Sequence, residues 1–183
     1  TDFAAKYNNF VRIDMEDHSC TTDTIEIYKK LKNKFNNVGI ALQSKLRRTE
    51  TDIDELITSD ANIRICKGVY LEPAQIAFQN MDEINNNFIN CLDKLLRNKC
   101  YVGIATHDEK LVQSAFAIID RLRLIKDEYE FQTLLGVNEY VWDIIINKGH
   151  RLRVYLPFGE QWYEYSMRRF SENPNLIKYI IKQ

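Results

Sequence analysis

Tyr165, Arg168, Arg169 and Glu172 recur at intervals of three and four, which brings them near one another if the segment is helical. Two adjacent guanidinium forks can hold one carboxylate or phosphate through paired charge-assisted hydrogen bonds, with the glutamate fixing their rotamers. A solvated Arg-Arg face neutralised by Glu172 is the plainer reading of the dipeptide by itself. The run Tyr155-Leu156-Pro157-Phe158-Gly159 just upstream shifts the balance toward a ligand pocket.

A second set of polar residues follows short apolar runs: Asp14-Met15-Glu16-Asp17, Gln43, Lys67-Gly68, Thr106-His107-Asp108, Gln132 and Tyr155. Turns and helix caps account for Asp17, Asp108 and Glu16. They account less well for Arg64 and Gln43, which lie within or at the end of runs expected to be buried on both faces. A long charged side chain inside Ile63-Arg64-Ile65 requires a partner or an anionic ligand. Cys66, in the same run, reads as a small core residue.

The elements that would position these groups alternate regularly. Strands are predicted over Phe10–Asp14, Val38–Gln43, Ile63–Lys67, Tyr101–Ala105, Tyr129–Leu134 and Leu152–Leu156. Helical spacing of apolar residues covers Thr24–Leu31, a charged segment closing on Asp54–Ile57, Asp82–Asn98, Lys110–Arg123, Val141–Ile146 and Trp162–Phe170. Six strand-then-helix units in succession imply parallel strands joined by right-handed crossovers. Both an open doubly wound sheet and a (βα)8 barrel are built that way, and both gather functional groups at the C-terminal strand ends. No Gly-x-Gly-x-x-Gly follows any strand, which weakens the dinucleotide-binding form of the first. Six strands do not close an eight-stranded barrel, whose usual length is about 250 residues. The abrupt opening, Thr1–Asn9, reads as the tail of an interrupted helix and loop and predicts one or two preceding βα units.

Composition narrows the function classes. The 183 residues carry 25 Lys plus Arg against 26 Asp plus Glu, a net charge of -1, which argues against nucleic-acid binding by a bulk positive field. No run approaches the roughly 18 apolar residues of a membrane span, and no basic-then-apolar leader opens the sequence. Cys20, Cys66, Cys91 and Cys100 form no Cys-x-x-Cys pair, and the three histidines do not fall at zinc-ligand spacing, so reduced thiols and no metal are expected. Few prolines and glycines and no linker or repeat predict one domain over 1–183.

The segments Val11–Asp17, Gly39–Gln43, Ile63–Tyr70, Ile104–Asp108, Glu130–Gly136, Arg153–Gly159 and Tyr165–Glu172 together resemble the proline dehydrogenase family, in order and over nearly the whole chain. The short form resembles the monofunctional bacterial enzymes. The resemblance implies a distorted (βα)8 TIM barrel, present here as an incomplete C-terminal portion of about six βα units, with its last helix over the barrel mouth. It implies FAD as cofactor and oxidation of L-proline to Δ1-pyrroline-5-carboxylate, a hydride passing to flavin N5 and the electrons on to a quinone. A cytoplasmic location, peripheral at the inner face of the membrane, comes with the quinone.

Carried over position by position, the resemblance implies that Arg168 and Arg169 clamp the proline carboxylate and Glu172 holds them in place. Tyr165, Tyr155, Leu134, Val69 and Tyr70 would wall the pyrrolidine ring. Asp14 matches a strand-end aspartate on the substrate side, and Arg64 an arginine near flavin N5. Met15 and Gln43 would line the flavin, while Lys67, Gly68, Val69, Thr106 and His107 would contact its ribityl and phosphate parts. Phe158 stands where a tyrosine is more usual, Val69 where alanine is, and Thr133 and Leu135 replace bulkier residues. The family's early-strand lysine, within a Ser-Val-Lys-Leu-like segment, has no counterpart before Phe10. The alternatives are a non-catalytic barrel fragment that binds no flavin and an unrelated barrel whose arginine pair takes a sugar phosphate.

Overall fold

Strand formation follows the β-branched runs and helix formation the amphipathic ones. In a computed structural model that describes residues 1–57, 61–160, Tyr163 and Met167, the order is α1 (Asp2–Ala5), β1 (Val11–Ile13), α2 (His18–Lys32), β2 (Val38–Gln43), α3 (Thr49–Leu56), β3 (Asn62–Cys66), α4 (Met81–Arg97), β4 (Tyr101–Ala105), α5 (Glu109–Leu122), β5 (Tyr129–Leu134), α6 (Tyr140–Asn147) and β6 (Leu152–Tyr155). The six strands form one parallel sheet in the order β1-β2-β3-β4-β5-β6.

Strictly sequential order decides between the two architectures left open by the sequence. A doubly wound sheet reverses its strand order at a switch point so that helices cover both faces. Here every strand pairs with the next in sequence, and the apolar core lies on one face only. Ile40, Leu42, Ile63, Ile65, Val102, Ile104 and Phe131 pack there against Ile53, Phe88, Leu92, Leu95, Val112, Ala115 and Ile119 of the helices. The result is a curled half-barrel, the incomplete TIM-type fold.

The opposite, concave face is polar. Arg12, Asn62, Arg64, Glu130, Gln132 and Arg153 alternate with the core residues along their strands, as the two-residue period of a strand dictates. Arg12 donates to the carbonyls of Ile40 (3.2 Å) and Asn62 (2.7 Å) and to Asn62 Oδ1 (2.5 Å). Burial and the nearby positive charge of Arg64 lower its pKa to about 10. Glu130 accepts two hydrogen bonds from Arg153, at 2.6 and 2.9 Å, and one from Gln132 at 2.7 Å. Burial opposes its charge, but these donors hold the carboxyl below the ordinary glutamate range. Glycines make room for the long side chains: a Cβ on Gly39 would stand 2.4 Å from Arg12 Nη1, and one on Gly103 2.6 Å from Gln132 Nε2.

This arrangement corrects two expectations. β3 is not buried on both faces: its burial alternates, and Arg64 lies on the polar side. Cys66 shares that side and is half-buried, its thiol 3.4 Å from the Leu42 carbonyl, so it is not a core residue. The long helices agree with expectation within a residue, but α2 begins six residues earlier than its apolar spacing suggested. Its first turns are held by polar contacts instead. The Asp17 side chain caps Ser19 N at 2.9 Å, and buried Glu72, from the β3–α4 loop, accepts from His18 N at 2.9 Å. The predicted last helix, Trp162–Phe170, falls outside the described residues except for Tyr163 and Met167, both helical in backbone.

Candidate active site

A cleft of about 740 Å³ opens at the C-terminal ends of the strands, where the sheet's polar face meets the loops that follow β1, β3, β4 and β5. Asp14, Met15, Gln43, Arg64, Lys67, Gly68, Val69, Tyr70, Thr106, His107, Leu134 and Tyr155, singled out in the sequence from six separate segments, all line it. Tyr165, Arg168, Arg169 and Glu172 lie outside the described residues.

Two side chains set the floor. Arg64 Nη2 donates to Asp14 Oδ1, so the guanidinium has the partner that its position demanded. Its Nε is buried with no partner among the described residues. Gln43, at the end of the wholly buried β2, donates from Nε2 to the carbonyls of Met15 (3.2 Å) and Glu16 (2.9 Å), which fixes the exit of β1. Its Oε1 is likewise buried without a partner among the described residues. Buried polar atoms in folded proteins are nearly always satisfied, so a donor and an acceptor left over beside one cleft point to a polar ligand.

The walls come from two loops. After β3, Gly68 takes φ +98°, and a Cβ there would come within 2.9 Å of Gln43 Oε1, so the backbone passes close over that carboxamide. Tyr70 follows: its carbonyl accepts from Lys45 Nζ at 2.6 Å, and its hydroxyl donates to Glu16 Oε2. Glu16 therefore does more than terminate a strand, a role invisible without the fold. After β4, Thr106 Oγ1 accepts from Asp108 N at 3.1 Å, and Asp108 caps α5 by accepting from Lys110 N at 3.0 Å. Asp108 also pairs with Lys67 at 2.7 Å. Burial works against its charge, but the Lys67 ammonium holds the carboxyl below the ordinary aspartate range. Lys67 and Asp108 thereby join the β3 and β4 loops. The His107 ring is partly buried, which lowers its pKa and keeps it neutral at physiological pH. Burial raises the Cys66 pKa, so that residue is a thiol, not a thiolate.

Sequence reasoning passed over Cys66, Ala105 and Thr133, which also line the cleft. The polar period along each strand would have placed Cys66 beside Arg64.

A flavin dinucleotide suits this cleft by the chemistry of its donors. Arg64 Nε and Gln43 Oε1 offer one donor and one acceptor to a polar ring edge. Lys67 and the Thr106–His107 turn line the same cleft with a cation and polar groups of the kind that would suit phosphate and ribityl oxygens, while Gly68 leaves room for the Gln43 carboxamide beneath it.

Comparison with known proteins agrees with this geometry. The family model described as Proline dehydrogenase matches residues 1–178. The chain is 36% identical over 179 residues to Proline dehydrogenase 2 of Bacillus subtilis (strain 168) and 34% identical over 181 residues to Proline dehydrogenase of Deinococcus radiodurans. Each match takes in 98% of this chain but only 59% and 58% of the respective relative, so the chain spans about three fifths of their length. Its fold superposes with a TM-score of 0.87 on proline utilization A (PutA) from Bdellovibrio bacteriovorus inactivated by N-propargylglycine, at 25% identity, covering 96% of this chain and 21% of that one. With that family model matching nearly its whole length and relatives at 34–36% identity, the chain belongs to the proline dehydrogenase family.

Proposed function

We propose that this chain, within its full-length protein, oxidises L-proline to Δ1-pyrroline-5-carboxylate with FAD as cofactor and a quinone as electron acceptor. The observation that carries the reading is the pair of unpartnered buried atoms, Arg64 Nε and Gln43 Oε1, beside the cleft of a family member. When bound, the flavin would supply the hydride acceptor for the ring carbon next to the proline nitrogen. Everything else falls to the protein.

Met15, Gln43, Arg64, Lys67, Gly68, Val69, Thr106 and His107 would hold the cofactor. Arg64 places a fixed positive charge on the floor, where it favours electron-rich states of whatever lies above it. Asp14 aims that guanidinium. Arg168 and Arg169 would clamp the substrate carboxylate, with Glu172 ordering them, and Tyr70, Leu134, Tyr155 and Tyr165 would wall the ring and exclude water. Residues 1–183 then form part of a single catalytic barrel. Among the described residues no helix is long and apolar enough to cross a membrane. Access to a quinone would come through peripheral contact at the cytoplasmic membrane face.

The test is anaerobic titration of the full-length, FAD-loaded protein with L-proline while its visible spectrum is followed. Bleaching of the flavin bands supports the reading. A protein that takes up no flavin, or whose flavin stays oxidised, overturns it in favour of a non-catalytic fold. The Bdellovibrio relative is described as inactivated by N-propargylglycine, which shares proline's secondary amine and carboxylate. The same compound should abolish activity here in a time-dependent manner, with excess proline protecting.

A further inference from the structure

β4 ends at Ala105, whose register partner is Gln132, and the Thr106 amide makes one more contact with the Gln132 carbonyl at 3.2 Å. The chain then turns away to cap α5. The neighbouring strand continues to Leu134, whose amide no longer has a β4 carbonyl to meet. That amide donates to His107 Nε2 at 2.7 Å. The imidazole thus lengthens the ladder by one rung, and the His107 carbonyl is itself fixed by Asn138 Nδ2 at 2.8 Å.

The bond determines the tautomer. A backbone amide can only donate, so Nε2 must present its lone pair, and the neutral ring then carries its proton on Nδ1. A ring protonated on both nitrogens would set Nε2–H against Leu134 N–H. Burial of the imidazole, which disfavours its charged form, acts in the same direction. The ring also lines the cleft, where it has a donor to offer and no acceptor.

We propose that His107 is a positioning residue: held as the neutral Nδ1–H tautomer, it fixes Leu134 in the substrate wall through Nε2 and presents the cofactor with a donor only. The proposal rests on the proline dehydrogenase reading for the identity of wall and cofactor. It adds a rigid link between them that neither residue type suggests. An Nδ1–H donor matches phosphate and ribityl oxygens, which accept.

Two measurements on the full-length protein test it. The first is long-range proton–nitrogen correlation at slightly alkaline pH on protein labelled at its three histidines, with His107 assigned by the signals that vanish in His107→Gln. The expected pattern is a protonated Nδ1 and a bare Nε2; a proton on Nε2, or a fully protonated ring, overturns the proposal. The second compares His107→Gln, whose Oε1 can accept from Leu134 N–H where Nε2 does, with His107→Leu, which cannot. Both lack the Nδ1–H donor, so both lose cofactor affinity, but after reconstitution with excess FAD the proline KM should be roughly tenfold higher in the leucine variant. Equal KM values in the two variants would refute the hold on Leu134. If wild-type protein fails to reduce its flavin with proline, the functional reading falls, while the tautomer measurement still decides the hydrogen bond.

Discussion

Arg64 on β3 donates to Asp14 just past β1, reaching across β2. The span is possible because Ala41, the register partner of Arg64 on the intervening strand, has too small a side chain to block it. The pairing gives Asp14 a specific task. Asp14→Asn keeps the shape but removes the charge that aims the guanidinium, and we expect kcat/KM for proline in the full-length enzyme to fall roughly ten- to a hundredfold. Arg64→Met should fall further and raise the resistance of bound flavin to reduction. Steady-state kinetics with redox titration of both variants checks this, and unchanged kinetics in Asp14→Asn would show that the aspartate is only a surface partner.

The C-terminal arginines supply a prediction about substrate binding. Removing one fork of a charge-assisted carboxylate contact costs about 2 to 4 kcal/mol. Arg168→Ala or Arg169→Ala should therefore raise the proline KM roughly thirty- to a thousandfold while flavin content stays near that of the parent. Absorbance at the flavin band reports the content, and initial rates against proline report the KM. A KM that does not move would return the Arg-Arg pair to a solvated helix face.

Much of this was legible in the sequence because strand and helix periods differ. Val38–Gln43 and Tyr101–Ala105 are mostly β-branched or small and close on a polar residue or turn, and α4 and α5 carry apolar residues every three or four positions under Asn80 and Asp108 caps. The strand ends converge in any parallel β/α fold, which is why residues from six segments could be assigned to one cleft. Long-range polar partners were not legible. Glu72 at the start of α2, Glu16 on the Tyr70 hydroxyl and His107 on the Leu134 amide bridge 54, 54 and 27 positions, and no local pattern encodes them. The environment of Arg64 was misjudged for a related reason. The alternation of Ile63, Arg64, Ile65 and Cys66 was legible, but only the fold shows that the second set faces a polar concave side and not another layer of helices.

Gly39 tests that polar face. A methyl group there would meet Arg12 Nη1 at 2.4 Å and the Asn62 carbonyl oxygen at 2.6 Å. Arg12 could move, but the carbonyl belongs to the neighbouring strand and cannot. Gly39→Ala should destabilise the protein by about 1 to 3 kcal/mol through overpacking, even though alanine is the better strand former. Urea unfolding of the variant beside wild type gives the number. A stability at or above wild type would mean that the Arg12 cradle yields more easily than its three carbonyl and carboxamide contacts suggest.

The histidines make stability depend on pH in a defined direction. His150 stacks on Phe116 with centroids 4.6 Å apart, and its Nδ1 lies 2.8 Å from the Tyr129 hydroxyl. Burial lowers its pKa; Asp120 opposes the shift, and Lys148 and Lys126 reinforce it. His107 is lowered by burial alone. Below the unfolded-state value of about 6.5, the unfolded chain therefore binds more protons at these two rings than the folded one. Stability should be insensitive to them above about pH 6.5 and fall as pH drops below it, until the folded-state values are passed. The carboxylates held low, Asp108 and Glu130, add their own losses only nearer pH 4, below the unfolded values of ordinary acids. Urea midpoints measured from pH 8 to 5 separate the two ranges. His150→Gln, which cannot titrate, should be less stable at pH 8 for want of the stacked ring, yet should lose less on acidification than wild type. A steeper acid loss in that variant would mean that the protonated imidazole is stabilised by Asp120, and that the charge, not the burial, governs the ring.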